Sequence, residues 1–200
     1  MDIIFGYILE GGFVTTFVFI WLSIYFILTI WVYISRTLTL SSWKSVEQAS
    51  LESLLQGSTR IRQKSVLSKC IGVSRHSNAS YELCKSVAEK NATNYLALLS
   101  VISSTSPFIG LFGTIVSILN TFSKLGSETS ASLNVIAPAI SEALVVTAVG
   151  IFVAIPAYSA HVLLKRKAYE LLSIINREIE LLNNPISKEP TSEGRRKYEF

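Results

Sequence analysis

Three long apolar stretches constrain this chain more than any other feature of its sequence. The first runs from Phe13 to Ile34 and carries no charged residue. The second lies within the uncharged window from Asn91 to Ser123, and the third lies between Thr129 and Leu164 with a single acidic residue. A helix that crosses a bilayer needs about 20 apolar residues. The sequence therefore predicts an all-α integral membrane protein with three transmembrane helices.

The basic residues predict the orientation of these helices. Of the 18 Lys and Arg residues, none precedes the first stretch, nine lie between the first and second, and eight follow the third. Only Lys124 lies between the second and third stretches. Lys and Arg are enriched on the cytoplasmic side of membrane proteins. We therefore expect the N-terminus outside and the C-terminus inside, and topology then explains the net charge of +4 without a nucleic-acid partner.

The second and third uncharged windows each exceed about 30 residues, which is about 45 Å of helix and more than the roughly 30 Å hydrocarbon layer. We therefore predict that helices two and three are long and extend into the cytoplasm. The expected organisation is a periplasmic N-terminal segment (1–12), transmembrane helix 1 (13–35), a cytoplasmic helical loop (36–96), transmembrane helix 2 (97–122), a periplasmic loop (123–134), transmembrane helix 3 (135–164), a cytoplasmic helix (165–184) and a disordered tail (185–200).

Glu142 is the most informative single residue, because it is the acidic residue inside the third stretch. A charge near the middle of a bilayer costs at least about 2.5–3.5 kcal/mol on insertion scales. Such a residue normally faces a bundle interior or a water-filled path, where a carboxyl group can exchange protons. The alternative is a protonated Glu that only joins two helices by a hydrogen bond.

Small and hydroxyl-bearing residues form one stripe on each of the last two predicted helices. Their spacings of three and four residues place the members of each stripe on one helix face. The stripe on helix two contains Ser103, Ser106, Gly110, Thr114 and Ser117, and the stripe on helix three contains Ala143, Thr147 and Gly150. Small residues allow close helix packing in lipid, whereas hydroxyl groups can line water. The stripes are therefore either pore-lining or packing surfaces.

Three prolines lie within the same two helices, at Pro107, Pro138 and Pro156. Proline removes a backbone donor and can bend a helix. A bend matters here, because on an ideal helix Glu142 lies about 140° around the axis from Thr147. The two side chains share one narrow stripe only if the helix is distorted.

Other kinds of chemistry find little support in the sequence. The two cysteines, Cys70 and Cys84, fall in the predicted cytoplasmic segment, where we expect reduced thiols that pack between helices. They form no CxxC motif or Cys/His cluster, so we expect no metal site and no cofactor. Sequence motifs typical of nucleotidases, serine hydrolases and zinc proteases are absent, so we do not expect an enzyme.

Two segments resemble a known family. Ser106 to Ile118 reads Ser-Pro-Phe-Ile-Gly-Leu-Phe-Gly-Thr-Ile-Val-Ser-Ile and is similar to the second-helix signature of the MotA/TolQ/ExbB proton channel family. Asn134 to Ala157 resembles its third-helix signature. The similarity is to the TolQ and ExbB branch, since the flagellar branch has four spans. The chain departs from the family pattern at Ser141, where Ala is usual, and at Ser117, where Gly is usual.

The resemblance implies a fold, a function and partners. It implies a homo-pentamer in the bacterial inner membrane, in which helices two and three surround a central pore. The pore would enclose a TolR- or ExbD-like single-span dimer, and a TolA- or TonB-like transducer would carry motion toward the outer membrane. Among the residues, it implies that Glu142 is the pore glutamate and that Thr114 and Thr147 are the pore threonines. The alternative is a passive membrane scaffold that stabilises a single-span partner.

Overall fold

The computed structural model of the chain describes residues 12–56, 65, 78–125 and 133–183. These residues form four α-helices, which are α1 (Gly12–Leu55), α2 (Asn78–Thr93), α3 (Leu96–Leu125) and α4 (Leu133–Asn183). The predicted all-α fold class is therefore confirmed for the described part of the chain. The whole predicted tail (185–200) lies outside the described residues, as do most of the predicted N-terminal segment and of the loop at 123–134.

Within the described residues, three helical stretches contain a window that is long and apolar enough to cross a membrane. They are Phe13–Leu55, Ser80–Ser123 and Ile136–Asn183. Large apolar side chains on these helices are exposed in the single chain, such as Phe108 at 70% and Phe152 at 64%. Exposed apolar residues at this density are typical of helices that face lipid or other membrane subunits. The three apolar spans thus agree with the prediction from the sequence.

The described residues divide into two compact units. The first unit combines the residues up to Ser41 with Thr93–Ala168, and the second combines Ser42–Ala92 with the residues from Tyr169 onward. Helices α1 and α4 each contribute to both units. Among the described residues, the apolar windows lie almost wholly in the first unit, whereas most of the charged residues lie in the second.

The core of the first unit forms where α1, α3 and α4 meet. Its buried members are Val18, Leu22, Ile102, Val146, Val153 and Ala157. On α1 the buried residues Val18, Leu22, Thr29 and Val32 recur at helical spacing, so that one face of this helix contacts its neighbours. The rings of Phe26 and Phe152 pack beside this core with their centroids 5.8 Å apart.

The second unit has a smaller core built on α2 and the last part of α4. Tyr81, Cys84 and Ala88 are buried at spacings of three and four on α2, and Leu171 and Ile175 are buried on α4. Cys84 is disulfide-bonded, so the expectation of a reduced thiol at this position is wrong. The other cysteine, Cys70, lies outside the described residues.

A two-residue break at Asn94 and Tyr95 separates α2 from α3. Tyr95 has a φ of 68°, which lies in the left-handed region that few residues other than glycine adopt. The Asn94 Oδ1 accepts a hydrogen bond from the Tyr95 N–H at 3.1 Å, and the Tyr95 carbonyl accepts one from Leu99 N–H at 3.2 Å. The Arg36 guanidinium lies 5.8 Å from the centre of the Tyr95 ring. These contacts fix the start of α3.

Candidate functional site in the membrane helices

A close backbone contact of the first unit joins α3 to α4 through two glycines. A Cβ atom built on Gly150 would lie 3.0 Å from Gly110 Cα and 2.7 Å from the Ser106 carbonyl oxygen. A Cβ built on Gly110 would lie 3.2 Å from the Cα atoms of both Gly150 and Thr147. The 2.7 Å distance at Gly150 leaves no room for a side chain, and at Gly110 the neighbouring backbone would have to shift, so backbone packs directly on backbone here. Four residues of the predicted stripes, Ser106, Gly110, Thr147 and Gly150, are thus brought together.

Gly113 makes a further close contact, at a position outside the predicted stripes. A Cβ at Gly113 would lie 2.6 Å from Val146 Cγ1 on α4 and 3.4 Å from Val18 Cγ1 on α1. The residue therefore sits where all three membrane helices meet. Its spacing of three residues from Gly110 was the available signal, since two glycines on neighbouring faces of one helix allow two close approaches.

The hydroxyl groups on α3 are mostly bonded to their own helix. The buried Ser106 Oγ donates to the Ile102 carbonyl at 2.6 Å, and the buried Thr114 Oγ1 donates to the Leu111 carbonyl at 2.7 Å. Ser103 Oγ donates to the Ser100 carbonyl at 2.9 Å. Ser117 is also buried. Hydroxyl groups with such bonds can stay in a dry interface, because their donors are already satisfied.

Thr147 on α4 differs from these residues. Its Oγ1 atom is shielded from solvent, yet it makes no hydrogen bond within the part of the chain that the structure describes. A buried hydroxyl without a partner is destabilising by about 1–3 kcal/mol. Among the described residues, the hydroxyl of Thr147 is therefore a shielded donor whose hydrogen bond is not made.

Glu142 lies on the same helix as Thr147. Its side chain is half-buried, and its Oε1 atom is shielded from solvent. The following residue, Ala143, is buried, and Val146, one turn further along, belongs to the core. Glu142 therefore borders the face of α4 that packs inside the unit. Since Thr147 Oγ1 has no hydrogen-bond partner, the two predicted pathway residues of α4 are not joined by a hydrogen bond.

The three prolines lie inside continuous helices. Pro107 is within α3, and Pro138 and Pro156 are within α4. Pro138 precedes Glu142 by one turn and is exposed, whereas Pro107 and Pro156 are half-buried. Each proline lacks the N–H that would bond to the carbonyl four residues earlier. The distortion expected at these positions stays a prediction.

Among the described residues, no group of three or more His, Cys, Asp or Glu side chains is arranged to hold a metal ion. His161, near the end of the first unit, uses its Nδ1 in a 2.9 Å contact with the Leu96 carbonyl oxygen. With a carbonyl as its partner, this nitrogen is the protonated donor of the ring. The imidazole thus helps to hold α4 against the start of α3.

Comparison with known proteins identifies the family to which the chain belongs. The model of the MotA/TolQ/ExbB proton channel family matches residues 57–177, which is more than half of the chain. The chain belongs to the MotA/TolQ/ExbB proton channel family. The match includes α3 and all three of the predicted pathway residues, Thr114, Glu142 and Thr147.

Individual relatives place the chain in the TolQ and ExbB branch of this family. It is 40% identical over 186 residues to a biopolymer transport protein ExbB-like 1 of Helicobacter pylori, which covers 92% of this chain and 98% of the relative. It is 48% identical over 66 residues to the Tol-Pal system protein TolQ of Pseudomonas aeruginosa, or 33% of this chain and 29% of the relative. It is 44% identical to the biopolymer transport protein ExbB of Pseudomonas putida over 68 residues, which make up 34% of this chain and 21% of the relative.

Family membership and the three apolar helices together make this chain a multi-pass membrane protein. They also give it the general role of its family, which is that of a component in a proton-channel system that transduces energy.

Proposed function

We propose that the chain is the proton-channel stator subunit of an inner-membrane complex that converts the proton motive force into mechanical work. The observation that carries this proposal is the position of Glu142, a half-buried carboxyl group in the predicted membrane-spanning part of α4 (135–164), which has no other charged residue. An acidic residue at such a position is stabilised by a polar path or a protein partner. In this proposal Glu142 gains and loses the transported proton.

Thr147 and Thr114 line the same path. Thr147 supports this assignment most directly, because its shielded hydroxyl has no hydrogen-bond partner in the described residues. A pore water or a neighbouring subunit would satisfy it. Thr114 is buried and its hydroxyl donates to its own helix, so its role would be to contribute its oxygen as an acceptor.

The working complex is proposed to be a homo-pentamer with the N-terminus outside and the C-terminus in the cytoplasm. Exposed apolar residues on α3 and α4, among them Phe108 and Phe112, support additional subunit contacts in the membrane. A TolR- or ExbD-like single-span dimer would occupy the pore, and a TolA- or TonB-like protein would transmit motion to the outer membrane, as membership of the TolQ and ExbB branch implies. Active import and envelope maintenance are the processes that such a complex would power.

The passive scaffold is the second candidate, and one observation favours it. The hydroxyls of Ser106 and Thr114 bond within α3, and the Gly110–Gly150 contact is a close-packed seam. These features alone need no aqueous path. The scaffold hypothesis differs from the proposal in requiring no proton exchange at Glu142.

Proton flux into proteoliposomes separates the two candidates. The chain would be reconstituted with its single-span partner under an imposed pH gradient and membrane potential. The proposal expects Glu142→Gln to abolish flux while the complex still co-purifies. The matched control is Glu52→Gln, which removes an exposed carboxyl group of α1 and leaves flux unchanged. Normal flux in Glu142→Gln would reject the proton pathway and leave the scaffold.

A further inference from the structure

The second unit buries two carboxyl groups that the proposed proton pathway does not use. Glu47 on α1 is 1% exposed, and Glu178 on α4 is 0% exposed. Both carboxyl oxygens of Glu178 are shielded from solvent. Glutamate is almost never fully buried unless its charge is compensated. Two buried glutamates in one small unit therefore require a physical explanation.

Two serines accompany the pair. The Ser65 hydroxyl donates a hydrogen bond to Glu47 Oε2 at 2.7 Å, and this bond is buried. Ser50, one turn after Glu47 on α1, is fully buried beside Glu178. No donor within the described residues meets hydrogen-bond geometry with either oxygen of Glu178. Among the described residues, the carboxyl group of Glu178 therefore has at most the nearby Ser50 hydroxyl as a donor, which is too little to stabilise a buried anion fully.

Other charged groups of the second unit have different surroundings. Lys44 bonds to Glu170 at 2.7 Å, and both side chains are partly exposed. Lys85 and Glu89 line a groove beside Tyr169. Arg177 and Glu180 are exposed and line another groove with Leu51 and Leu55. Among the described charged groups, Glu47 is the one whose carboxyl group interacts with that of Glu178. It does so through its negative charge.

The chemistry of this pair depends on one hydrogen atom. Two ionised carboxylates repel each other because they carry like charges. They also cannot form a hydrogen bond to each other, because each of them only accepts. When one of them holds a proton, it becomes a donor to the other. We propose that Glu47 and Glu178 form a buried proton-binding site in the second unit, which holds one proton between the two carboxyl groups at neutral pH.

The surroundings assign the proton to Glu178. Burial, together with the negative charge of Glu47, raises the pKa of Glu178 from 4.5 to about 8, and the nearby Ser50 hydroxyl offsets part of this rise. Glu47 Oε2 already accepts a hydrogen bond from the Ser65 hydroxyl, which is the geometry of an acceptor. Glu178 thus acts as the acid and Glu47 as the acceptor. This site is distinct from Glu142, which belongs to the first unit.

Infrared difference spectroscopy on the full-length chain in lipid nanodiscs tests this site directly. A protonated carboxyl group has a C=O stretching band that a carboxylate lacks, and this band shifts in D2O whereas the lipid ester band does not. The titration would use a Glu142→Gln background, which removes the signal of the membrane carboxyl group. We expect an acid band that disappears as the pH rises, with a midpoint near 8.

Matched variants assign the band. Glu178→Gln, which imitates the shape of the protonated acid, should remove it, whereas Glu52→Gln at an exposed position of α1 should leave it unchanged. Glu47→Gln removes the neighbouring charge and should lower the midpoint. A band that titrates only near the ordinary pKa of glutamate, or that persists in Glu178→Gln, would overturn the proposal. An unchanged midpoint in Glu47→Gln would overturn the pairing. If a second substitution prevents folding, the acid band of the Glu142→Gln chain and its midpoint still decide whether a carboxyl group with a raised pKa is present.

Discussion

Gly110 on α3 and Gly150 on α4 pack backbone against backbone, so that a Cβ on Gly150 would lie 3.0 Å from Gly110 Cα. The same Cβ would lie 2.7 Å from the Ser106 carbonyl oxygen. Backbone atoms of two packed helices cannot move aside independently, since each is held in a helical hydrogen-bond ladder. The contact thus sets the distance between α3 and α4 and, with it, the position of the Thr147 and Glu142 backbone.

Gly150→Ala should destabilise the folded chain by about 1–3 kcal/mol, because the added methyl group overpacks a backbone contact. Part of this loss is offset by the higher helix propensity of Ala, worth about 1 kcal/mol. Thermal unfolding in detergent measures the change. Gly113→Ala is the comparison, since its Cβ meets a side-chain methyl of Val146 at 2.6 Å and not a backbone atom. If Gly150→Ala were as stable as the parent chain, the contact between Gly110 and Gly150 would have room for a methyl group, and the close packing of α3 on α4 would be contradicted.

Thr147→Val should greatly reduce proton flux if the Thr147 hydroxyl contributes to the path, whereas Thr147→Ser should retain flux. Valine keeps the shape of threonine but removes the hydroxyl, and serine keeps the hydroxyl. The measurement is flux into proteoliposomes that contain the chain and its single-span partner.

The control for this pair is Thr105→Val, because the Thr105 hydroxyl already bonds to the Val101 carbonyl at 2.8 Å. Its loss should leave flux near the parent value. Equal flux in Thr147→Val and Thr105→Val would remove Thr147 from the pathway.

Much of the first unit follows from local sequence patterns. The three apolar stretches predict three membrane helices, because length and hydrophobicity alone decide whether a helix can cross a bilayer. The stripes bring Gly110 to Gly150, since small residues at helical spacing mark the face where two helices approach. The contribution of Gly113 was missed, because its closeness to Val18 and Val146 depends on how three helices converge.

The carboxyl pair of the second unit could not be predicted in the same way. Glu47 and Glu178 each occur in a segment with many polar residues, where an exposed glutamate is the usual outcome. Their burial depends on tertiary contacts between residues far apart in the sequence. The one available signal was the position of Glu178 directly before Ile179 and one turn after Ile174 and Ile175, on the buried face of an amphipathic helix.

Ser65→Ala should destabilise the second unit by about 1.5–3 kcal/mol, which is the typical contribution of a hydrogen bond to a charged group. The substitution removes the 2.7 Å donor to Glu47 Oε2 inside the protein. Ser45→Ala is the control, since the exposed Ser45 hydroxyl only donates to the Ser42 carbonyl of its own helix. The stability of both variants would be measured by chemical unfolding that is monitored through hydrogen exchange of the amides in α2 and at the end of α4. A loss no larger than that of the control would mean that the Ser65 bond contributes little.

The stability of the second unit should fall as the pH rises from about 5 to about 8. The pKa of Glu178 is raised to about 8 in the folded chain by burial and by the charge of Glu47, compared with 4.5 for an ordinary glutamate. Between these two values the folded state binds more protons than the unfolded state, so the free energy of unfolding decreases with increasing pH. One proton gives a slope of at most about 1.4 kcal/mol per pH unit. Above the folded pKa both states are ionised, and the slope contributed by this group disappears.

Glu178→Gln should flatten this pH dependence and raise the free energy of unfolding at pH 8, because glutamine keeps a donor beside Glu47 at every pH. The measurement is local unfolding by hydrogen exchange at several pH values, corrected for the intrinsic exchange rate of each amide. Glu180→Gln, two residues further along the exposed side of α4, is the control and should keep the slope of the parent chain. If both variants lost stability with pH at the same rate as the parent, the slope would arise from other titrating groups and not from Glu178.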